Sequence, residues 1–418
     1  MYKKYIVISW LVVMLLPACA RAQMDVTDWR ADIDFYAEQL VKHHIDPFHT
    51  LSQESFYNEI DRIKQSIPDQ TKNQILVQLM KLTSRINDGH TSFPLWGIES
   101  ARFPLGVKLF GEDVYVVSTT AQYQDLLGSR LISINETPVS DIAPFVSEVT
   151  PFTENAFSEA VRVGQYLPHA RVLNGLGFIE DNGTAQFAFF DVEGKLIVHT
   201  LSAQPSPLLD FEITHFNDPV FTAKEEVSED LWFGASGNNK TVYIKFRRYT
   251  SVANMESFSR QILSFINREQ SENLIIDLRD NYGGDFFVGL KLAQALVLAD
   301  SLNWKSGVYV LIDNVTYSAA MSNAAQFSQI LNAKLVGSPT GARPSGYQDM
   351  GQLVLPNSGL EVTYSKRLYR FKDNNSDALS PDASVDVSIE DYRDGIDAQL
   401  RWVLNQINDN NTSQRPNR

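Results

Sequence analysis

The 418-residue chain is 44% apolar and 21% charged. That composition can bury two or three domain cores and excludes a disordered or fibrous protein. It carries 50 acidic against 36 basic residues, a net charge of −14, which argues against nucleic acid as a partner. Its only cysteine, Cys19, excludes a disulfide framework within the chain.

Lys3 and Lys4 precede a mostly apolar run of 12 residues, Tyr5 to Leu16, too short to span a bilayer comfortably. Ala20-Arg21-Ala22 then offers a small-x-small cleavage site before Gln23. The pattern predicts an export signal over residues 1–22 and a periplasmic or secreted protein. The rival reading is lipoprotein processing at Leu16-Pro17-Ala18-Cys19, which would leave an acylated Cys19 at a membrane surface; Pro17 is unusual in such a box. No later segment is long and apolar enough to predict a transmembrane helix in the mature chain.

Residues 25–87 read as helical. Trp29, Ile33, Leu40 and Val41, then Phe56, Ile60 and Ile63, then Ile75, Leu76, Leu79 and Leu82 recur at helical spacing. Pro47 and Pro68 interrupt the series. Asn87-Asp88-Gly89 is a turn that delivers His90. His43, His44 and His49 read as structural or surface residues. Adjacent histidines on a helix point about 100° apart, so no metal site is expected.

From residue 103 the period changes. Gly106–Phe110 and Val114–Val117 read as strands, and 186–232 as strands and connections with a turn at Asn182-Gly183. Gly175-Leu176-Gly177-Phe178 reads as a strand or turn. Thr241–Phe246 opens an alternating series: a helix over 258–267, a strand to Leu278, a helix over 288–299, a strand to Ile312, a helix over 319–331 and a strand at 334–336. That alternation predicts an α/β core, with the whole chain α+β. From Asn408 onward apolar residues are scarce, which predicts a disordered tail.

Two of these strands carry the chemistry. Asn273–Leu278 runs into Arg279-Asp280-Asn281-Tyr282-Gly283-Gly284, and Val308–Ile312 runs into Thr316-Tyr317-Ser318-Ala319-Ala320. Glycines let backbone N–H groups approach a ligand closely. A small-residue turn that presents a serine at the start of a helix suits a nucleophile. The same serine reads equally as a helix cap. Ser322, one helical turn on, reads as packing or capping.

Together with Asp88-Gly89-His90-Thr91, Val336-Gly337-Ser338-Pro339-Thr340-Gly341 and Pro381-Asp382, these segments form an ordered set. The chain resembles the tail-specific, or C-terminal-processing, serine proteases, in the branch that uses histidine as base, as the tricorn core does. The resemblance implies a crotonase-like protease core of ββα type with an N-terminal helical cap and a PDZ-like β module. The expected divisions are 1–22 signal peptide, 23–97 helical domain, 98–205 PDZ-like region, 206–408 protease core and 409–418 disordered tail. Leu127–Asn135 resembles the strand-turn segment of bacterial PDZ domains, which bind peptide ends by strand addition. Ser129 stands where such modules usually carry an acid.

What the resemblance implies for the site is specific. Ser318 is the nucleophile. Many members place a lysine base where this chain has Arg343, and a guanidinium cannot accept a proton at useful pH. The base is therefore His90, an imidazole suited to proton transfer near neutrality. The third residue, expected shortly before Pro381-Asp382, is Asp377, with Asp373 as the alternative. The tetrad serine that precedes the histidine in tricorn-like members is Gly89 here. Backbone N–H groups of Gly283, Gly284 and Ala319 would form the oxyanion hole. Arg279 either braces its loop or, like Arg343, binds substrate. The implied function is an exported serine endopeptidase acting on peptide or protein substrates through an acyl-enzyme, with no metal or organic cofactor. The alternatives are an inactive relative that binds peptides or hydrophobic ligands, and an esterase-type hydrolase.

Overall fold

The two strands that run into the predicted glycine and serine turns lie side by side in the main sheet. The computed structural model describes residues 24–96, 98, 100–180, 183–206, 212–213, 221–371 and 376–413. The sheet is ordered Thr222–Ser228, Leu231–Ala235, Thr241–Phe246, Asn273–Asp277, Val308–Ile312, Lys334–Gly337 and Ala383–Ser384. The first three strands pair antiparallel, and every pairing after Thr241–Phe246 is parallel. Ile276 sits beside Val310 and Asp277 beside Leu311, so the two chemistry-bearing strands end level with each other.

Alternation along these strands feeds two apolar layers. Leu274, Ile276, Val308, Val310 and Ile312 pack with helices Val252–Glu269, Phe286–Leu296 and Ala319–Ile330. Ile275, Tyr309, Leu311 and Val336 face the opposite layer, where Leu400, Val403 and Ile407 of helix Ala398–Ser413 cover them. A parallel sheet covered on both faces needs continuous apolar strands, and that is what these sequences supply. The disorder expected from residue 408 is corrected over 408–413. A helix anchored by buried Ile407 extends by one hydrogen bond per added residue, and scarcity of apolar groups does not stop that. Residues 414–418, like the export-signal segment 1–22 with Cys19, lie outside the described residues, as does Asn182 of the expected turn.

Three helices, Val26–His43, Gln53–Ser66 and Lys72–Ser84, form the N-terminal region. Asp25 with Asp28, and Thr71 with Gln74, close capping boxes at two of the starts. Their buried stripes share one core with an antiparallel sheet, Leu105–Phe110, Asp113–Thr119, Arg130–Ile134, Thr184–Phe190 and Leu196–Ser202 in that order. Helices Val139–Ser147, Ala156–Tyr166 and Ala170–Gly175 are inserted between its third and fourth long strands; the pattern analysis assigned no helix there. Gly175 ends the last of them rather than sitting in a strand.

A long hairpin, Ser345–Val354 with Glu361–Arg370, links the core to this region. Its tip is capped by the buried Asp32 carboxylate, which accepts from the backbone N–H groups of Asn357 and Ser358. Its second strand exchanges backbone hydrogen bonds between Thr363 and Ser92, two residues past His90. The hairpin thus fixes the histidine loop against the core.

Candidate active site

The turn after Val308–Ile312 is held from both sides. Thr316 Oγ1 donates to the Leu278 carbonyl at 3.0 Å, and Tyr317 N–H donates to the Asn281 carbonyl at 3.0 Å. The partly buried Asp313 carboxylate accepts from the N–H groups of Val315, Thr316 and Asp280. Burial, with the nearby Asp280 charge, pushes the Asp313 carboxyl up to about 6. These bonds hold Ser318 at φ 48°, ψ −122° at the head of helix Ala319–Ile330. Such a conformation costs a non-glycine residue roughly 1–3 kcal/mol and is typical of presented nucleophiles. Ser318 makes no side-chain capping bond, whereas Ser322 Oγ donates back to the Ser318 carbonyl. The capping reading therefore fails for Ser318.

Ser318 Oγ lies 2.9 Å from Nε2 of His90, across 228 residues of sequence. His90 is held in turn by Asp88, whose Oδ1 accepts the His90 backbone N–H at 3.0 Å and the Ser365 hydroxyl at 2.5 Å. The other oxygen of Asp88 meets His44 Nε2 at 2.7 Å, and the Asp46 N–H donates to His44 Nδ1. His44 is therefore a structural residue, and its proton sits on the nitrogen facing Asp88. Burial alone would raise the Asp88 carboxyl. The His44 contact and the hydroxyls of Ser365 and Thr91 outweigh it and hold the carboxyl below its usual value. A carboxylate lowered in the folded state stabilises the protein above its unfolded pKa, and loses that contribution as pH falls through the folded value. Asp88→Asn should therefore lower the urea midpoint near neutrality. The gap to wild type should close as the pH drops below about 4, read from urea melts at a series of pH values.

The residue facing the other imidazole nitrogen is Glu154. Its Oε1 is 3.6 Å from His90 Nδ1, and both side chains are buried. Nδ1 has no hydrogen-bond partner among the described residues. Glu154 Oε1 also accepts from the Tyr317 hydroxyl at 3.1 Å, and Oε2 from the Arg343 backbone N–H at 2.7 Å. Burial and the Glu154 charge push the Tyr317 phenol well up, so it stays a donor.

Asp377 does not occupy this place. Its side chain is 79% exposed and pairs loosely with Arg343 at 3.4 Å. The reason lies in its backbone: the Asn155 amide donates to the carbonyls of Asp377 and Thr340, so the segment is gripped through its main chain and the carboxylate turns outward. Asp373 lies outside the described residues. The Pro381-Asp382 pair is structural, since Asp382 accepts the Leu335 N–H and returns its own to the Leu335 carbonyl.

Gly89 explains the missing tetrad serine. A Cβ there would come within 1.6 Å of the Tyr317 hydroxyl and 2.4 Å of Glu154 Cγ. The space above position 89 is filled by Glu154 and Tyr317. Gly89→Ala should displace both, costing roughly 1–3 kcal/mol of stability by overpacking. Thermal melts of the variant check this.

Of the three proposed oxyanion donors, two point free. The Gly283 N–H is taken by Asn281 Oδ1 at 2.8 Å, while those of Gly284 and Ala319 have no acceptor among the described residues. Gly283, at φ 102°, instead provides closeness. A Cβ on it would sit 2.8 Å from Ser318 Cβ and 2.9 Å from Ala319 N. Neither expected substrate-binding arginine reaches the cleft. Arg279 is clamped by Asp277 at 2.6 Å and Asp397 at 2.7 Å, so it braces the loop. Arg343 lies behind Glu154 and is absent from the cleft wall. The cleft itself encloses about 1000 Å³, and Ser318 and His90 line it together with two aromatic groups, Trp96 stacked on Phe152, and Phe286 with Tyr369 and Phe371.

Glu154 escaped the sequence analysis, and so did the contact of His44 with Asp88, although Asp88 lies in the histidine motif and His44 was read as structural or surface. Each acts through a neighbour supplied by a distant segment. The one signal near Glu154 was the following Asn155, a helix cap.

No protein-family model matches the chain, and no curated protein matches it. Solved structures do. A point mutant of CPAF is 12% identical with a TM-score of 0.64, covering 94% of this chain and 99% of its own. Mature CPAF is 13% identical with a TM-score of 0.63, covering 92% and 98%. The photosystem II D1 C-terminal processing protease is 14% identical with a TM-score of 0.41, covering 86% and 93%. The chain has the fold of CPAF over nearly its whole length.

Proposed function

We propose that the protein is a serine peptidase that cleaves peptide bonds through an acyl-enzyme. The observation that carries this reading is the 2.9 Å contact between Ser318 Oγ and His90 Nε2 in a cleft that both residues line. His90 takes the Ser318 proton as Oγ attacks the scissile carbonyl carbon. The resulting imidazolium bears a new Nδ1 charge next to Glu154, and a small closure of the 3.6 Å gap forms the bond that steadies it. The carbonyl oxygen, now anionic, accepts from the N–H groups of Gly284 and Ala319 at the positive end of helix Ala319–Ile330. His90 then passes its proton to the leaving amine, and a water repeats the cycle to release the acyl group.

A cleft of about 1000 Å³ with an aromatic lining suits a peptide more than a small ester. Export belongs to the same reading. It is supported by the apolar run and Ala20-Arg21-Ala22, and no helix among the described residues is long and apolar enough to cross a membrane. The deciding experiment treats the purified protein with a fluorophosphonate probe and maps the adduct by mass spectrometry. Labelling at Ser318, lost in Ser318→Ala, supports a peptidase site; an unlabelled Ser318 refutes it.

A further inference from the structure

Two turns build the catalytic centre, and one carboxylate joins them. Asp313 directly follows strand Val308–Ile312. Its Oδ1 accepts from the N–H groups of Val315 at 3.0 Å and Thr316 at 2.9 Å, two bonds within the turn that carries Ser318. The Asp280 N–H, in the loop that carries Gly283 and Gly284, lies 3.2 Å from Oδ2 and 3.3 Å from Oδ1. Both segments are left-handed at a residue other than glycine, Asp280 at φ 57° and Ser318 at φ 48°. Such backbone persists only where surrounding bonds over-determine it.

The charge on this carboxylate is not explained by stability. Its carboxyl is pushed up to about 6, by burial first and then by the Asp280 charge. A carboxyl raised in the folded state weakens the fold while it is ionised. That penalty is full above about pH 6 and fades as pH falls toward the unfolded value of about 4. Two cations favour the charge, Lys108, exposed on strand Leu105–Phe110, and Arg279, which is committed to Asp277 and Asp397. Arg247 holds Asp280 at 3.0 Å. Tyr282 and Tyr392 also face this cluster, and burial raises both phenols, so they stay neutral.

We infer that Asp313 is a positioning residue whose carboxylate keeps the loop of Gly283 and Gly284 in register with Ser318. Held so, the N–H groups of Gly284 and Ala319 converge on one substrate oxygen. The inference rests on the peptidase reading and adds to it the group that couples the nucleophile turn to the oxyanion loop. A proton on Oδ2 takes the better acceptor from the Asp280 N–H and slackens the loop, so attack by Ser318 is fastest while Asp313 is charged.

The test follows fluorophosphonate labelling of Ser318 in the full chain from pH 5 to 9, reading the maximal rate and the half-saturating concentration. Asp313→Asn keeps Oδ1 for Val315 and Thr316 but turns an NH2 donor toward the Asp280 N–H. It should lower the maximal rate about tenfold at pH 8, part of the roughly 10²–10³ that a whole oxyanion donor is worth. The half-saturating concentration should stay within about twofold. The ratio of wild-type to variant rates cancels the His90 titration, which both proteins share. That ratio should shrink toward one as pH falls through about 6, where the wild-type carboxyl takes up its proton. A merely structural role lowers the rate by the same factor at every pH. Thermal melts show whether the variant folds. If it does not, Lys108→Met decides, since removing that charge should move the acid limb of wild-type labelling to higher pH. A flat ratio, equal rates at pH 8, or an acid limb that Lys108→Met leaves in place, with Ser318 still labelled, overturns the proposal and leaves the peptidase reading intact. A protein whose Ser318 never reacts overturns both.

Discussion

Ser318→Ala and His90→Ala are expected to lose peptide turnover to the same extent, by roughly 10⁶-fold in kcat, because a nucleophile and its base act as one unit. Among the described residues Ser318 Oγ has no hydrogen-bond partner but His90, and Arg343, at the position where other members carry a lysine, offers its backbone N–H to Glu154. Arg343→Ala keeps that N–H and removes a partly exposed side chain, so its activity should stay within about tenfold of wild type. Steady-state turnover of a fluorogenic peptide by the three variants measures this. A living His90→Ala beside a dead Arg343→Ala would end the mechanism.

Glu154→Gln should lower kcat by roughly 10²–10⁴-fold, while Asp377→Asn should be nearly silent. The glutamine keeps the volume and one acceptor oxygen, so the Tyr317 and Arg343 bonds can partly survive. What it loses is the charge that stabilises an imidazolium 3.6 Å away. Asp377 sits in solvent with its carboxylate on Arg343, far too well hydrated to orient the histidine. Comparing kcat for the two variants, with melting temperatures to show that both fold, assigns the third residue. If Asp377→Asn is the dead variant, the assignment of Glu154 is wrong.

In the proposed mechanism the tautomer of His90 depends on this carboxylate, and the carboxylate depends on packing that sequence spacing does not display. Asn155 grips the backbone at Asp377 and Thr340, and in doing so seats its neighbour Glu154 against the imidazole. The carboxylate beside His90 comes from between the histidine and the serine in the chain, rather than from beyond the serine. Gly89 is the trace of that choice, since a side chain at 89 and the Glu154–Tyr317 pair exclude each other.

The residues alone determined the strand-helix alternation of the core, because strands buried on both faces must be continuously apolar and the helices between them must be amphipathic. They also determined the three N-terminal helices and the turns that carry His90, Ser318 and Gly284, where glycine and small residues mark close approach. Fifteen-residue patterns of that kind are local, and local physics reads them. The approach of Glu154 to His90, the brace of His44 on Asp88 and the free N–H groups of Gly284 and Ala319 were decided only in three dimensions. The first two are contacts between segments more than forty residues apart, and the last are donors whose freedom depends on which acceptors the fold brings within reach. Hydrogen-bond satisfaction is a property of the whole fold, and no spacing along the chain encodes it.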